Sequence, residues 1–292
     1  MLSTGPQISA PFVLTGPDGT RVAFNNAADP DYIGMLRDVT GLDSPDVRES
    51  ADDLVQMDGG IHGDFFYGRR PVTLTGLLLN PASADERNQR MTSLMRASNA
   101  MRADAILSWT LEGGEAQFLS VRRQQPLRIT GAWQKEFQLA VVAADPRIYS
   151  TALHQEDVVP GADGLGGFSS PLTSPLTSSA PVSGQVMVDN QGSAQSPALL
   201  VINGPCTNPR VINFTTGEEL VLTYTLGEAE FLVIDMLNRT VLLNNSASRY
   251  GAVDFNATSW WWLEPGENDI RFAPSSYSLG CTLEIHFRDA WL

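Results

Sequence analysis

The chain is 292 residues long, 42% hydrophobic and 18% charged, with 33 acids against 19 bases and a formal net charge of −14. Nucleic-acid binding is dominated by Lys and Arg neutralising phosphates, so this balance excludes a surface built to grip DNA or RNA. The length favours two domains, no apolar stretch is long enough to cross a bilayer, and Met1-Leu2-Ser3-Thr4-Gly5-Pro6 lacks both the basic segment and the apolar core of a secretory signal, so synthesis in the cytoplasm is expected.

The first domain is expected over residues 1–150. Phe12-Val13-Leu14-Thr15 and Thr20-Arg21-Val22-Ala23-Phe24 flank Gly16-Pro17-Asp18-Gly19, a turn tetrapeptide that supplies a fixed φ and tolerance of positive φ, and together they predict an opening hairpin. Residues 40–63 are rich in acids and glycine and read as a long surface loop that orders against a partner. Asp43, Asp46, Glu49, Asp52, Asp53 and Asp58 lack the spacing of a calcium loop, so solvated charge is the plain reading. Residues 69–79 predict a central strand with Val72, Leu74 and Leu78 on one face and Gly76 at a bulge or a close backbone approach.

The best helix follows. Ser83 with Glu86 makes a capping box, acids sit in the first turn and arginines near the end, and Met91, Leu94, Met95, Ser98 and Met101 form one apolar stripe. Its methionines suit either a soft partner-binding groove or a core face, and the core face is the expectation. Two further strands around Glu112-Gly113-Gly114-Glu115 and a long alternating strand over 133–143 close the domain at Asp145-Pro146-Arg147.

Residues 151–184 differ in kind. They are rich in Gly, Pro and Ser, with a tandem Pro-Leu-Thr-Ser repeat inside 168–183, and read as a linker or an extended arm. Residues 185–292 repeat short alternating runs separated by turns, among them Phe231-Leu232-Val233-Ile234, Trp260-Trp261-Trp262-Leu263 and Thr282 to Phe287, the pattern of an antiparallel β-sandwich. In the last strand Leu283, Ile285 and Phe287 face the core.

No catalytic constellation emerges. His62, His154 and His286 lie in unrelated settings, no Gly-x-Ser-x-Gly is present, and Glu264 and Glu267 straddle a Pro-Gly turn as solvated acids do. Phosphate loops, dinucleotide fingerprints and zinc spacings are missing from the sequence, so no enzyme, cofactor or metal is expected. Four Asn-x-Ser/Thr matches, at Asn213, Asn238, Asn244 and Asn256, are discounted without a secretory route. Cys206 and Cys281, the only cysteines, read as two small buried hydrophobes, with a disulfide the alternative. Of the 19 basic residues only Lys135 is lysine, a bias that suits interfaces and that genomic base composition also produces. The candidate interface or ligand residues are Trp260, Trp262, Arg69 and Arg70. On a strand Trp261 faces opposite to its two neighbours, so at least one ring should leave the core, serving either a subunit interface or a sugar.

Tyr67-Gly68-Arg69-Arg70-Pro71-Val72, the helix, and Ala143-Ala144-Asp145-Pro146-Arg147-Ile148-Tyr149 in the first domain, with Val188-Asp189-Asn190-Gln191-Gly192, Ile202-Asn203-Gly204-Pro205, Trp262-Leu263-Glu264-Pro265-Gly266-Glu267-Asn268 and Phe287-Arg288-Asp289-Ala290-Trp291 in the second, resemble the distal tail proteins of long-tailed siphovirus-type bacteriophages. The resemblance implies a mainly β chain with one prominent helix: a tail-tube-like β-sandwich or α+β domain that builds a ring, and a galectin-like sandwich. It implies a structural virion protein, a homohexamer at the junction of tail tube and tail tip or baseplate, assembled in the host cytoplasm without membrane contact. The implied partners are further copies of the chain, the tail tube protein, the tape-measure protein and the tail tip protein, with DNA passing through unbound. A carbohydrate-binding sandwich that adheres to the host surface is the alternative.

Overall fold

The structure, a computed structural model, describes residues 10–53, 58, 60–78, 83–99, 103–110, 113–131, 135–161 and 184–292. Residues 168–183, the Pro/Ser-rich repeat, lie outside them, as does Met101. Two compact units divide at Thr151 and Ala152.

The first unit contains β1 (Phe12–Thr15), β2 (Arg21–Phe24), β3 (Tyr32–Thr40), β4 (Val47–Asp53), β5 (Gly60–Tyr67), β6 (Arg70–Leu78), α1 (Ala84–Ala97), β7 (Ala105–Thr110), β8 (Ala116–Arg123), β9 (Arg128–Thr130), β10 (Lys135–Ala143) and β11 (Ile148–Ser150). Its main sheet runs β11-β8-β7-β1-β2-β3-β6-β10-β9. The ends of β8 and β10 also pair, Arg123 opposite Val141 and Arg122 opposite Val142, so the sheet of this mainly β domain closes on itself in the manner of a barrel. Closure pairs every strand from β8 round to β10 on both sides, and alternation puts one side chain in two inside. Phe12, Leu14, Val22, Phe24, Leu36, Val72, Leu74, Leu107, Leu119, Phe137 and Leu139 are all buried. Each such side chain contributes about 1.5–3 kcal/mol by leaving water. Phe24 meets Phe137 at 5.4 Å, and Phe12 stacks on Trp109 at 5.9 Å.

Gly76 is the close approach its place in the strand suggested: a Cβ there would stand 2.4 Å from the Met35 carbonyl oxygen and 2.8 Å from the Phe137 ring, opposite a register shift between Leu36 and Asp38. The opening hairpin pairs Phe12 with Phe24 around a turn whose Gly19 has φ of +81° and whose Asp18 accepts the Thr20 N–H.

Helix α1 starts as its capping box dictates, with the Ser83 hydroxyl accepting the Glu86 N–H at 3.1 Å. The buried face is narrower than the stripe. Leu94, Ala97 and the capping Ser98 are buried, whereas Met91 is half-buried and Met95 exposed. The reason lies in how close the neighbouring chain comes: a Cβ on Gly16 would stand 2.8 Å from the Ala97 Cα, so only small residues fit where the helix end meets the β1–β2 turn.

The second unit contains β12 (His154–Val158), β13 (Gln185–Asn190), β14 (Leu199–Asn203), β15 (Cys206–Thr207), β16 (Arg210–Asn213), β17 (Glu218–Val221), β18 (Thr225–Leu226), β19 (Phe231–Asp235), β20 (Thr240–Leu243), β21 (Ala247–Ser248), β22 (Gly266–Phe272), β23 (Ser276–Tyr277), β24 (Thr282–Phe287) and β25 (Ala290–Trp291). One sheet runs β12-β24-β14-β19-β20-β21, a second β13-β22-β16-β17, and a small one β18-β15-β23. The two larger sheets share a core of alternating residues that includes Leu200, Ile202, Leu232, Ile234, Ile270, Phe272, Leu283, Ile285 and Phe287. The sequence expectation for the last strand holds. Strand β12 comes from residues assigned to the linker by composition, and its Val158 belongs to this core.

Candidate assembly surface

The acidic stretch read as a loop is a two-stranded hairpin. Strands β4 and β5 pair from Val47 opposite Tyr67 to Asp53 opposite Gly60, with a register shift between Glu49 and Ala51. Among the described residues neither strand pairs with any other. Val47 is 55% exposed, Phe65 56%, Phe66 59% and Tyr67 50%. Because successive residues of a strand point to opposite faces, Phe65 and Tyr67 open one face of the hairpin and Phe66 the other. Exposure of apolar rings on both faces marks an element that the rest of its own domain does not cover, and large exposed apolar patches mark interaction sites. The composition of 40–63 hid this, since a ribbon with two wet faces has no alternation to read.

The base of the hairpin is fixed by the two arginines that the sequence left indistinguishable. Arg69 is exposed and remains a surface candidate. Arg70 is fully buried: its Nε donates to the Pro146 carbonyl at 2.7 Å, and its Nη1 to the Asp43 carbonyl at 2.7 Å and the Gly41 carbonyl at 3.2 Å. Burial pulls this guanidinium below the ordinary arginine value, with Asp43 opposing. Arg70 is thus corrected from interface residue to clamp, joining the entrance of the hairpin to β6 and to the loop after β10. Gly41 completes the clamp, since a Cβ at its φ of +89° would stand 2.0 Å from the Pro71 carbonyl oxygen. Nearby, the Tyr149 hydroxyl donates to Asp145 at 2.6 Å, and burial with that carboxylate raises its pKa.

In the second unit the triple-tryptophan segment is irregular chain, not the strand expected of it. Only Leu263 makes a bridge, to Ser196, because Trp261 fills the core and the flanking backbone bonds across to Glu219 and Ser196 instead of along a ladder. The alternation survives without the strand. Trp261 is 1% exposed, while Trp260 and Trp262 are half-buried. Trp260 stacks on Tyr250 at 6.4 Å, and Tyr250 meets Phe255 at 5.2 Å. Tyr250 and Phe255 are exposed, and the sequence reading missed both because each sits in a turn-rich stretch with no period.

Three of the motifs that carried the family resemblance in this unit, Val188 to Gly192, Trp262 to Asn268 and Phe287 to Trp291, meet in one polar knot. Asn190 Oδ1 accepts from Gly192 N–H at 3.1 Å and its Nδ2 donates to the Ala194 carbonyl at 2.8 Å; Asp289 Oδ1 accepts the Gln191 N–H at 2.8 Å. Asn268 Nδ2 donates to the Glu264 and Gly266 carbonyls at 2.8 Å, while its Oδ1 accepts the Glu264 N–H at 2.8 Å. His154 reaches Asp289 Oδ2 at 2.9 Å and stacks on Phe287. These buried amides and carboxylate satisfy turn backbone that water cannot reach. They fasten the fold. Among the described residues no cluster of three or more His, Cys, Asp or Glu side chains is placed to hold a metal ion.

Residues 191–291 match the family model described as siphovirus-type tail component, C-terminal domain. Nearly the whole chain shares its fold with the crystal structure of the SPP1 Dit (gp 19.1) protein, described as a paradigm of the hub adsorption apparatus in phages infecting Gram-positive bacteria. The TM-score is 0.68 at 12% identity, covering 96% of this chain and 99% of that one. It is also similar to a chain of the phage P2 baseplate in its activated conformation with calcium, with a TM-score of 0.52 at 11% identity over 96% of this chain and 97% of that one, and to the strontium form at 0.51 and 12% over 97% and 98%. No curated protein sequence matches. The chain is similar to distal tail proteins in the sequence of its second domain and in its fold throughout, as the motifs indicated.

Proposed function

We propose that the chain is a structural component of a phage tail that assembles with copies of itself into a closed ring, a hexamer, between the tail tube and the tail tip or baseplate. The second-domain family match and the fold support a virion tail role. The observation that carries ring formation is the β4–β5 hairpin with apolar rings on both faces, rooted by Arg70 and Gly41 in a barrel that already satisfies its own strands. Such an arm fits between neighbouring copies, covering Phe65 and Tyr67 against one and Phe66 against another. Closed cyclic symmetry satisfies every such contact at once. The outer edge of β9, unpaired among the described residues, offers a second self-complementary element.

On this reading the tube protein, the tape-measure protein and the tip protein are the partners, and the acidic balance of the chain lets DNA pass without adhering. No catalysis is required of it. Light scattering and negative-stain microscopy of purified protein test the proposal: rings are expected for the wild type, and a monomer for Phe65→Asp with Phe66→Asp at an unchanged unfolding midpoint. A wild type that stays monomeric at high concentration defeats it. The alternative, host adhesion through a sugar on the galectin-like domain, is favoured only by the Tyr250, Phe255 and Trp260 cluster; binding on a glycan array that Phe255→Ala and Trp260→Ala abolish is its required outcome.

A further inference from the structure

Cys206 begins β15 and Cys281 stands one residue before β24, and these are the only two cysteines of the chain. Both are free and 3% exposed. Cys206 lies opposite Tyr277 of β23, and the Cys281 N–H donates back to the Ser278 carbonyl at 3.2 Å. That return turn, with Asn203 of β14 opposite Thr282 of β24, sets Cys281 beside Cys206 in one buried core cluster. Access is built in on one side. Residues 275–280, immediately before Cys281, are all exposed, Leu279 completely, and β15 and β23 are two residues each, so opening this corner disturbs little of the sheets.

We propose that Cys206 and Cys281 are an oxidation site, closed into an intramolecular disulfide by exchange with a small disulfide of the glutathione class. The Cys206 thiolate attacks one sulfur of oxidised glutathione; that S–S bond breaks and its electron pair leaves on one glutathione thiolate, which takes up a proton. Cys281 then gives its proton to solvent, and its thiolate attacks the Cys206 sulfur of the mixed disulfide. The new S–S bond forms and the second glutathione leaves as a thiolate. Two protein thiols are oxidised and one oxidised glutathione is reduced to two thiols. The order follows from the contact: Cys281 donates its S–H to the Cys206 sulfur, which holds Cys206 below the usual thiol value, whereas the same bond and burial raise Cys281. The bridge would tie the start of the small sheet to the last strand of the larger one.

The test uses the reduced full chain incubated with oxidised glutathione, both folded and during refolding, then quenched in acid for intact mass and peptide mapping. The expected product has lost two hydrogen atoms, holds a linked Cys206–Cys281 peptide, resists alkylation in denaturant, and melts in its second unit roughly 5–15 °C higher until dithiothreitol reverses the shift. In the Cys281→Ala variant glutathione should remain bound at Cys206, while Cys206→Ala should stay unmodified. Two alkylatable thiols after both incubations, or a wild-type chain that retains glutathione on one cysteine, overturns the proposal. Melting reads a separate property from assembly, so loss of ring formation would leave this result intact.

Discussion

At the scale of single residues, burial decides between side chains that sequence leaves equal. Arg69 and Arg70 are neighbours of identical chemistry, yet Arg69, in the connection before β6, is exposed to water while Arg70, at the start of β6, donates to three carbonyl oxygens. Replacing Arg70 with Met strands those carbonyls and loosens the root of the hairpin. A loss of about 3–5 kcal/mol in chemical denaturation of the first unit is expected, against less than about 0.5 kcal/mol for Arg69→Met. The tryptophans divide similarly: Trp261→Ala should cost the second unit about 3–5 kcal/mol, and Trp260→Ala much less. Alternation was readable here even though the strand was not. Charge offers a milder case. Arg21 holds Asp29 through two bonds of 2.7 Å and Asp31 through one of 2.8 Å, which fixes the short connection between the parallel β2 and β3. The guanidinium bonds keep the Asp29 carboxyl below the ordinary carboxylate value. Its contribution is therefore complete above that ordinary value and disappears as pH falls through the lower folded one. With the pair partly exposed, Asp29→Asn should cost on the order of 1 kcal/mol or less at neutral pH, and the two unfolding curves should converge in strong acid.

At the scale of elements, legibility follows the number of faces an element buries. Strands β1, β6, β10 and β24 bury one face more deeply than the other, and their alternation is plain in the sequence. In the β4–β5 hairpin residues 47–49 and 63–67 are all exposed, so its acids dominate the sequence pattern and its aromatic residues do not stand out from it; the single available signal is Phe65-Phe66-Tyr67, three rings in a row beside a glycine. Helix α1 stands between these extremes. Its cap and dipole charges were legible because they act within one turn, but the width of its buried face depends on Gly16 of a distant hairpin, which no helical period contains. Leu94→Ala should therefore destabilise the first unit by about 2–5 kcal/mol, whereas Met95→Ala should lie within about 0.5 kcal/mol. Equal losses at both positions would restore the broader methionine stripe. The resemblance motifs carry a related lesson. Val188 to Gly192, Trp262 to Asn268 and Phe287 to Trp291 mark where the fold needs buried Asn, Asp and Gly to close turns, so they identify the architecture.

At the scale of the whole molecule, the second unit begins earlier than composition places it. The change to Gly, Pro and Ser after residue 150 reads as the start of a connection, but the chain first lays down β12, which pairs with β24 along five positions from His154 opposite Phe287 to Val158 opposite Leu283. Composition misses this strand because Gln155, Glu156 and Asp157 are all exposed and only Val158 enters the core. Physically β12 is the cover of an edge: without it, β24 presents a row of unpaired N–H and C=O groups to solvent and to other chains. Two fragments separate the possibilities. A fragment of residues 152–292 should unfold with the same midpoint as the second transition of the full chain, whereas residues 184–292 alone should melt roughly 5–15 °C lower and associate on heating. Differential scanning calorimetry of the three proteins measures both effects. Identical midpoints for the two fragments would reduce β12 to an ornament on the sheet and would return residues 151–161 to the connection; a lower midpoint only for the shorter fragment makes the strand a working edge of the second domain.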